Sequence, residues 1–400
     1  MKTCSRAWCT RAALLAAFAA AAAPAPAEAG IVVYEDGAKF VEIGGQIQLQ
    51  YYLFEPDAGE AEDDVFFRRL RVDVEGGVTE GWEGKIQVDY GKSDVALKEV
   101  YLRYGGFERF EDLEVTVGNQ NPPFSRSTNT SSKELQLVER PFVGDNNYGA
   151  SEYMTGVRVD DSAGGGRIDW AASFGSASID PDAAKLDFDT PVNADADFNQ
   201  GWIAAGRVDW HPFGAMGYTT GHFVDLDPED PAPYDEYGLT LGVAAFTWSN
   251  DGDNDTYTDA AGRATSATKA DVDAAEGFEV AAGFRGFRLS ADAQYQVIDA
   301  ETVDPRFTGG LFRAGDAELD VFAVHGGFMA LPNTLELVAG YQSLDTEAYR
   351  DAWTRTSLGA NWFLDRHRLK AQLTWRMGES LDGVPGNDAD ELFLQLQYAF

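Results

Sequence analysis

A chain of 400 residues, 44% of them hydrophobic, is long enough for two ordinary domains or one large barrel, and its formal net charge of −35 argues against a nucleic-acid partner. Its two cysteines, Cys4 and Cys9, fall within the first 29 residues. The remainder can therefore form neither a disulfide framework nor a Cys-ligated metal site.

Residues 1–29 have the organisation of a signal peptide. Lys2, Arg6 and Arg11 precede an apolar run from Ala12 to Ala23, and Ala27-Glu28-Ala29 supplies a small-residue cleavage site, with cleavage expected after Ala29. The run is too short and too rich in alanine to span a bilayer. Residues 30–400 are then a single exported domain.

No later stretch is apolar enough for a transmembrane helix, and the mean hydropathy of −0.29 suggests a soluble protein. That average conceals a period of two. Near the start, Val41, Ile43, Ile47, Leu49 and Tyr51 alternate with Glu42, Gln46, Gln48 and Gln50. Leu289, Ala291, Ala293, Tyr295 and Val297 alternate with Ser290, Asp292, Gln294 and Gln296. Leu369, Ala371, Leu373, Trp375 and Met377 share a face opposite Lys370, Gln372, Thr374 and Arg376. At the end, Leu392, Leu394, Leu396, Tyr398 and Phe400 face away from Glu391, Gln395 and Gln397. Such segments are strands with one apolar and one polar face.

A soluble β-sandwich shows the same alternation, but three features favour a transmembrane barrel. Aromatics recur near strand ends (Tyr51, Tyr52, Phe66, Phe67, Trp202, Trp210, Trp248, Trp362, Trp375), as interfacial girdles require. Tight turns alternate with long acidic loops, notably Glu55 to Asp64, Asp180 to Asp197, Asp225 to Glu236 and Asp251 to Asp273. The chain also finishes on Phe400 at the end of a clean amphipathic strand. About seventeen runs can be counted, yet a bacterial barrel needs an even number. The poorest, between Phe213 and Val224, follows His211-Pro212; removing it places Asn250 to Ala275 outside the cell. The expectation is an all-β, antiparallel transmembrane barrel of about 16 strands, with Phe213 to Glu236 as a long periplasmic connection.

The segment Phe66 to Arg140 resembles the phosphate-selective porin O and P family. The resemblance is carried by Phe67-Arg68-Arg69-Leu70-Arg71-Val72-Asp73-Val74-Glu75-Gly76, Trp82, Lys85-Ile86-Gln87-Val88-Asp89-Tyr90 and Leu97-Lys98-Glu99-Val100-Tyr101-Leu102-Arg103-Tyr104. Val117-Gly118-Asn119-Gln120-Asn121-Pro122-Pro123-Phe124, Thr130-Ser131-Ser132 and Val138-Glu139-Arg140 continue it, and it weakens after about Gly156. It implies a trimeric outer-membrane porin whose third loop, here Asn121 to Ser151, folds inward as a constriction. It further implies phosphate passing along arginines to a lysine-rich constriction.

Alternation sets Arg69, Arg71, Lys85, Arg103, Arg158, Arg167 and Arg207 on the lumenal face, with Arg285, Arg288, Arg355, Lys370 and Arg376. The third loop offers Arg126, Lys133 and Arg140 against Glu134 and Glu139. Guanidinium forks bind phosphate oxygens in pairs, and charged rings set ion preference. Arg68 reads as an interfacial or trimer-contact residue. Acids such as Asp89, Glu99, Glu114, Asp160, Asp169, Asp209, Glu279 and Asp292 share the inward face, and only eight lysines follow the leader. The expected function is a water-filled channel for small anions, with phosphate or polyphosphate as candidates; a general or cation-preferring porin is the alternative, and a barrel with a blocked lumen a third.

An enzyme is not expected. His211, His222, His325 and His367 are scattered, without H-E-x-x-H spacing, and no G-x-S-x-G elbow occurs. Asp251-Gly252-Asp253-Asn254-Asp255 has oxygen ligands at alternate positions but lacks the glycine and final glutamate of a calcium loop. No cofactor is expected. The expected partners are small solutes, outer-membrane lipid and further copies of the chain in a homotrimer.

Overall fold

Alternating strands bury only one face each, so they are stable in a membrane only as a closed sheet with no unpaired edge. The computed structural model describes residues 30–91, 95–180, 184–188, 190, 199–214, 217–224, 236–252 and 271–400. Strand β1 (Ile31–Asp36) turns at Gly37 into β2 (Lys39–Pro56). There follow β3 (Glu62–Thr79), β4 (Trp82–Asp89), β5 (Ala96–Tyr104), β6 (Glu114–Gln120), β7 (Met154–Ala163) and β8 (Ile168–Ile179). Then come β9 (Asn199–Trp210), β10 (Tyr237–Asn250), β11 (Val272–Gly286), β12 (Leu289–Thr302) and β13 (Asp316–Leu331). The last four are β14 (Leu335–Thr346), β15 (Trp353–Asp365), β16 (Leu369–Glu379) and β17 (Ala389–Ala399).

Each strand from β2 onward pairs antiparallel with the next, and β17 returns to β2 from Gln46↔Ala399 to Pro56↔Ala389. The result is a closed barrel of sixteen strands, β2–β17. The short β1 pairs with β2 at Lys39 to Ile43, beyond the point where β17 ends. No strand lies among the described residues between Trp210 and Tyr237, so the long periplasmic connection is where the alternation required it. At Phe287-Arg288 both turn residues have positive φ, +54° and +66°, the geometry of a tight two-residue hairpin. Half of the acidic run from Glu55 to Asp64 is strand: β2 reaches Pro56 and β3 starts at Glu62, leaving a short connection.

The outer surface is apolar and carries aromatics at two levels. Trp82, Trp210, Tyr237, Trp362 and Tyr398 are exposed near periplasmic strand ends, and Phe174 stacks on Trp202 nearer the other rim. Three expected girdle residues face inward instead. Tyr52 donates to Glu391, Phe66 lines an inner cavity, and Trp248 is buried and donates to the Ala177 carbonyl.

Inside, the barrel is half filled. Inward residues on the upper parts of β8 to β15 are apolar and buried, among them Ile179, Ile203, Phe246, Trp248, Ile298, Leu319 and Val321. They meet Phe124, Phe142, Val143 and Tyr148 of the third loop, Leu186 and Phe188 of the next external loop, and Leu311 and Phe312 of the sixth. Each large side chain buried this way stabilises the arrangement by ~1.5–3 kcal/mol.

The seam closes on Phe400. Its amide donates to the Gly45 carbonyl, its own carbonyl accepts from the Gly45 amide, and its ring lies over Gly45. A Cβ at residue 45 would stand 2.6 Å from that ring and 2.9 Å from the Arg71 carbonyl oxygen. Gly45→Val is therefore expected to destabilise the seam by ~1–3 kcal/mol. Loss of the heat-dependent mobility shift of the folded barrel at a lower temperature than in the parent protein would register it.

Candidate functional site

The third loop crosses the lumen on hydrogen bonds from the opposite wall. It begins after β6, forms the short helix α1 (Arg126–Asn129) capped by the Ser125 side chain, and passes through a 3₁₀ turn at Phe142–Gly144. Gln48 donates to the Ser132 carbonyl at 3.1 Å, and Lys370 and Gln372 donate to the Leu135 carbonyl at 3.0 and 3.1 Å. Asn361 donates to the Gln136 carbonyl at 2.9 Å, and the Val138 amide donates to Thr374 Oγ1 at 3.2 Å. The Phe142 amide donates to Gln342 Oε1, while Gln296 reaches the Val143 carbonyl, both at 2.8 Å.

Two arginines anchor the loop on the filled side. Arg126 Nε lies 2.9 Å from Asp292 Oδ1, and the Arg126 amide donates to Glu279. Arg207, on β9, pairs with Asp209 and Glu279 at 2.7 Å each and donates to the Phe124 carbonyl. Both guanidiniums lie over the Tyr218 ring, at 5.1 and 5.8 Å, and the Tyr218 hydroxyl donates to Asp209. Tyr218 belongs to the periplasmic connection, whose described residues 217–224 thus reach up into the barrel. Thr220 of the same segment donates to the Glu134 carbonyl of the third loop. On this side the third loop and residues 217–224 meet inside the barrel.

The other side holds a cavity of about 590 Å³ between the third loop and the walls of β2 to β5 and β15 to β17. Seven cations line it (Arg68, Arg69, Arg71, Lys98, Arg140, Arg355, Arg376), against the five acids Asp89, Glu139, Asp145, Glu152 and Glu391. Arg71 pairs with Asp89 at 2.8 Å and Arg376 with Glu391 at 2.5 Å. Among the described residues, Arg69 donates only to Gln48 Oε1 and Arg140 only to the carbonyls of Ser127 and Thr130, while Arg355 lies over the rings of Phe142 and Trp353 at 4.1 and 4.4 Å. None of these three makes an ion pair with a described carboxylate. Burial disfavours the charged Arg140 and lowers it to about 10, still a cation at neutral pH.

Of the expected lumenal cations, Arg69, Arg71 and Arg140 thus come together. Lys85 and Arg103 stand on β4 and β5, paired with Glu99 at 2.7 Å and with Glu83 at 2.9 Å. Lys133 lies on the loop, its carbonyl held by Gln397. The other four lie outside this cavity. Arg126 and Arg207 are sealed anchors. Arg158 pairs with Asp160 and holds the root of the loop through the Asn121 carbonyl. Arg167 sits exposed in the turn between β7 and β8, beyond the last strand residue. Arg288 likewise falls in a turn.

Arg68 faces inward, contrary to its reading as a contact residue. The register slips between Gln48↔Arg69 and Leu49↔Phe67, leaving Arg68 as the extra residue of a bulge. The sequence signal was the phase change between outward Phe67 and outward Leu70. Lys98, over the Tyr153 ring at 5.2 Å, was also missed.

A smaller cavity of about 270 Å³ near the periplasmic ends of β6 to β9 is acidic, lined by Asp112, Glu114, Asp160, Asp161, Asp169 and Asp209 with Arg158 and Arg207. Among the described residues no cluster of three His, Cys, Asp or Glu could hold a metal ion. Residues 253–255 of the calcium-like motif lie outside the described residues. A Thr240–His211–Asp169 chain, with contacts of 2.8 and 3.0 Å, has its threonine and histidine buried and closed to solute.

A family profile described as phosphate-selective porin O and P matches residues 41–400. No curated protein matches the sequence. Among solved structures, the fold is similar to OmpT of Vibrio cholerae, with a TM-score of 0.55 at 12% identity, covering 92% of this chain and 100% of that one. It is also similar to an anion-selective porin from Comamonas acidovorans, with a TM-score of 0.55, 12% identity and coverage of 90% and 99%. The outer-membrane channel DcaP of Acinetobacter baumannii gives a TM-score of 0.54 at 11% identity, with coverage of 93% and 100%.

Replacing Asp292 by alanine would leave Arg126 and Arg285 without their shared carboxylate, which lies 2.9 and 2.6 Å from them. The expected loss is ~3–5 kcal/mol. Hydrogen exchange would check it: protection of residues 121–151 should fall, while that of β2 and β3 should persist.

Proposed function

The chain belongs to the phosphate-selective porin O and P family, and from that premise we propose that this outer-membrane porin passes small anions along its open side, phosphate or polyphosphate among them. The observation that carries this reading is the group of three guanidiniums, Arg69, Arg140 and Arg355, in one cavity, none in an ion pair with a described carboxylate. A guanidinium presents paired donors matched to the oxygens of phosphate, and an unpaired one need not first give up an ion pair. Below them, Arg71, Lys85 and Arg103 on the wall and Lys133 on the loop continue a set of cations.

The acidic periplasmic cavity favours a second reading, a general or cation-preferring porin. Single-channel recording in a salt gradient separates the two. Anion selectivity, with phosphate blocking the chloride current, is expected. Arg69→Gln and Arg140→Gln should each weaken that block about tenfold, as loss of one charge-assisted hydrogen bond does. Cation selectivity without phosphate block would contradict the anion reading and leave the porin.

The partner in the membrane is proposed to be further copies of the chain. Strands β4, β5 and β6 have 8, 9 and 7 residues, whereas β10 to β13 have 14 to 16. A transmembrane strand needs ~9–11 residues, so the short wall is poorly suited to face lipid alone. Its exposed Ile86, Leu102 and Val117 offer an apolar contact. One solved structure of the similar OmpT is described as a trimer form. In detergent the protein should run as a trimer, and Leu102→Arg with Val117→Arg should reduce it to single copies. A monomeric parent protein would contradict the assembly.

A further inference from the structure

Building on the anion reading, we propose that Glu139 is an internal competitor: its carboxylate occupies the Arg68 fork in place of a permeating oxyanion and so keeps anion binding weak enough for release. The contact is bidentate. Arg68 Nε lies 2.8 Å from Glu139 Oε1 and Nη2 lies 3.1 Å from Oε2, the geometry with which a guanidinium takes an external carboxylate or phosphate. The two side chains are 23% and 19% exposed, and both line the large cavity, so an anion entering it meets them directly. The neighbouring Arg69 lines the same cavity and donates to Gln48 rather than to a described carboxylate.

Other ion pairs show by contrast why this one can exchange. Arg207 and Glu279 are sealed at 2% and 0% exposure. Arg376 and Glu391 are only 10% and 13% exposed, and Tyr52 donates a further hydrogen bond to Glu391. Glu139 has no such second donor among the described side chains. Nor does the loop depend on it. The residues on either side are held separately, Val138 by Thr374 and Arg140 by the carbonyls of Ser127 and Thr130, so the carboxylate can swing away while the loop stays seated.

Conduction requires binding strong enough to admit a solute and weak enough to let it leave. A tethered carboxylate supplies the second condition. It returns to the fork when the anion moves on, and it weakens the apparent affinity of every anion that needs that fork. The chemical class most affected is the multivalent oxyanion, which binds the fork in pairs; chloride, a single point charge, gains less from it.

The experiment is inorganic phosphate block of the chloride current in planar bilayers, comparing the parent protein with Glu139→Gln, Asp145→Asn and Arg68→Gln. Glu139→Gln should tighten phosphate block about three- to tenfold and lengthen each blocked event, since a part-exposed competitor of ordinary ion-pair strength has been removed. Asp145→Asn removes the same charge from the same cavity without vacating an arginine, because among the described residues the Asp145 carboxylate accepts only from Asn147. It should change the block far less. Arg68→Gln should weaken it. Unchanged or weaker block in Glu139→Gln, an equal tightening in Asp145→Asn, or failure of Glu139→Gln to assemble a heat-modifiable barrel would each overturn the proposal. A parent protein with no phosphate block at all would instead sink the anion reading on which it rests.

Discussion

A loop laid across a lumen carries backbone amides and carbonyls that need partners as much as those of any buried segment. Here many of the partners are neutral side chains of the opposite wall, beside the charged Lys370, Arg207, Arg158 and Glu279. Gln48, Asn361, Gln372, Gln296 and Gln342, with Thr374, each meet a carbonyl or amide of the third loop. Neutral amides suit the task because each offers both donors and an acceptor and carries no charge to desolvate. The seat of the loop determines which half of the barrel is filled and which cations remain free.

That division explains the mixed charge of the inner surface. On the filled side, acids and arginines are matched in buried pairs, with Asp292 serving both Arg126 and Arg285, and Glu279 serving Arg207. Buried pairs of this kind hold geometry, and breaking one leaves a charge without a partner. On the open side the guanidiniums outnumber the carboxylates. On the third loop, burial alone would raise the Glu139 carboxyl, but Arg68 and then Arg69 outweigh burial and hold it down to about 2. It therefore stays ionised at any pH the outer membrane meets. Arginine is an anchor in one half and a cavity-lining group in the other, and the filling of the lumen makes the difference.

Much of the barrel was legible because alternation is a local signal. Gln46, Gln48 and Gln50 face inward as the pattern requires, and the run after His211 was correctly removed from the strands. The failures arose where the local pattern meets a distant contact. Trp248 and Phe246 sit on the inward face, where a porin rule expects polarity, because Phe188 and Phe124 from two loops cover them. Arg167 was lost to a turn that begins after Ala163. Arg68 was lost to a bulge, because one extra residue flips the face of everything before it. Nothing local could show which inward arginines would be covered, since Arg126 and Asp292 are 166 positions apart.

The central claim is that solute passes only on the side of β2 to β5. Because neither cysteine lies beyond residue 9, single cysteines can be placed cleanly in the barrel. Ala96 lines the open cavity and Lys85 lies below it on the same wall, while Ala244 faces inward among the apolar contacts of the filled half. With an anionic thiol reagent in the bath, Ala96→Cys and Lys85→Cys should react and lose current, and Ala244→Cys should stay unmodified in the folded barrel. Rapid modification of Ala244→Cys with loss of current would contradict the account, because it would place the water path through the half that the third loop is held to fill.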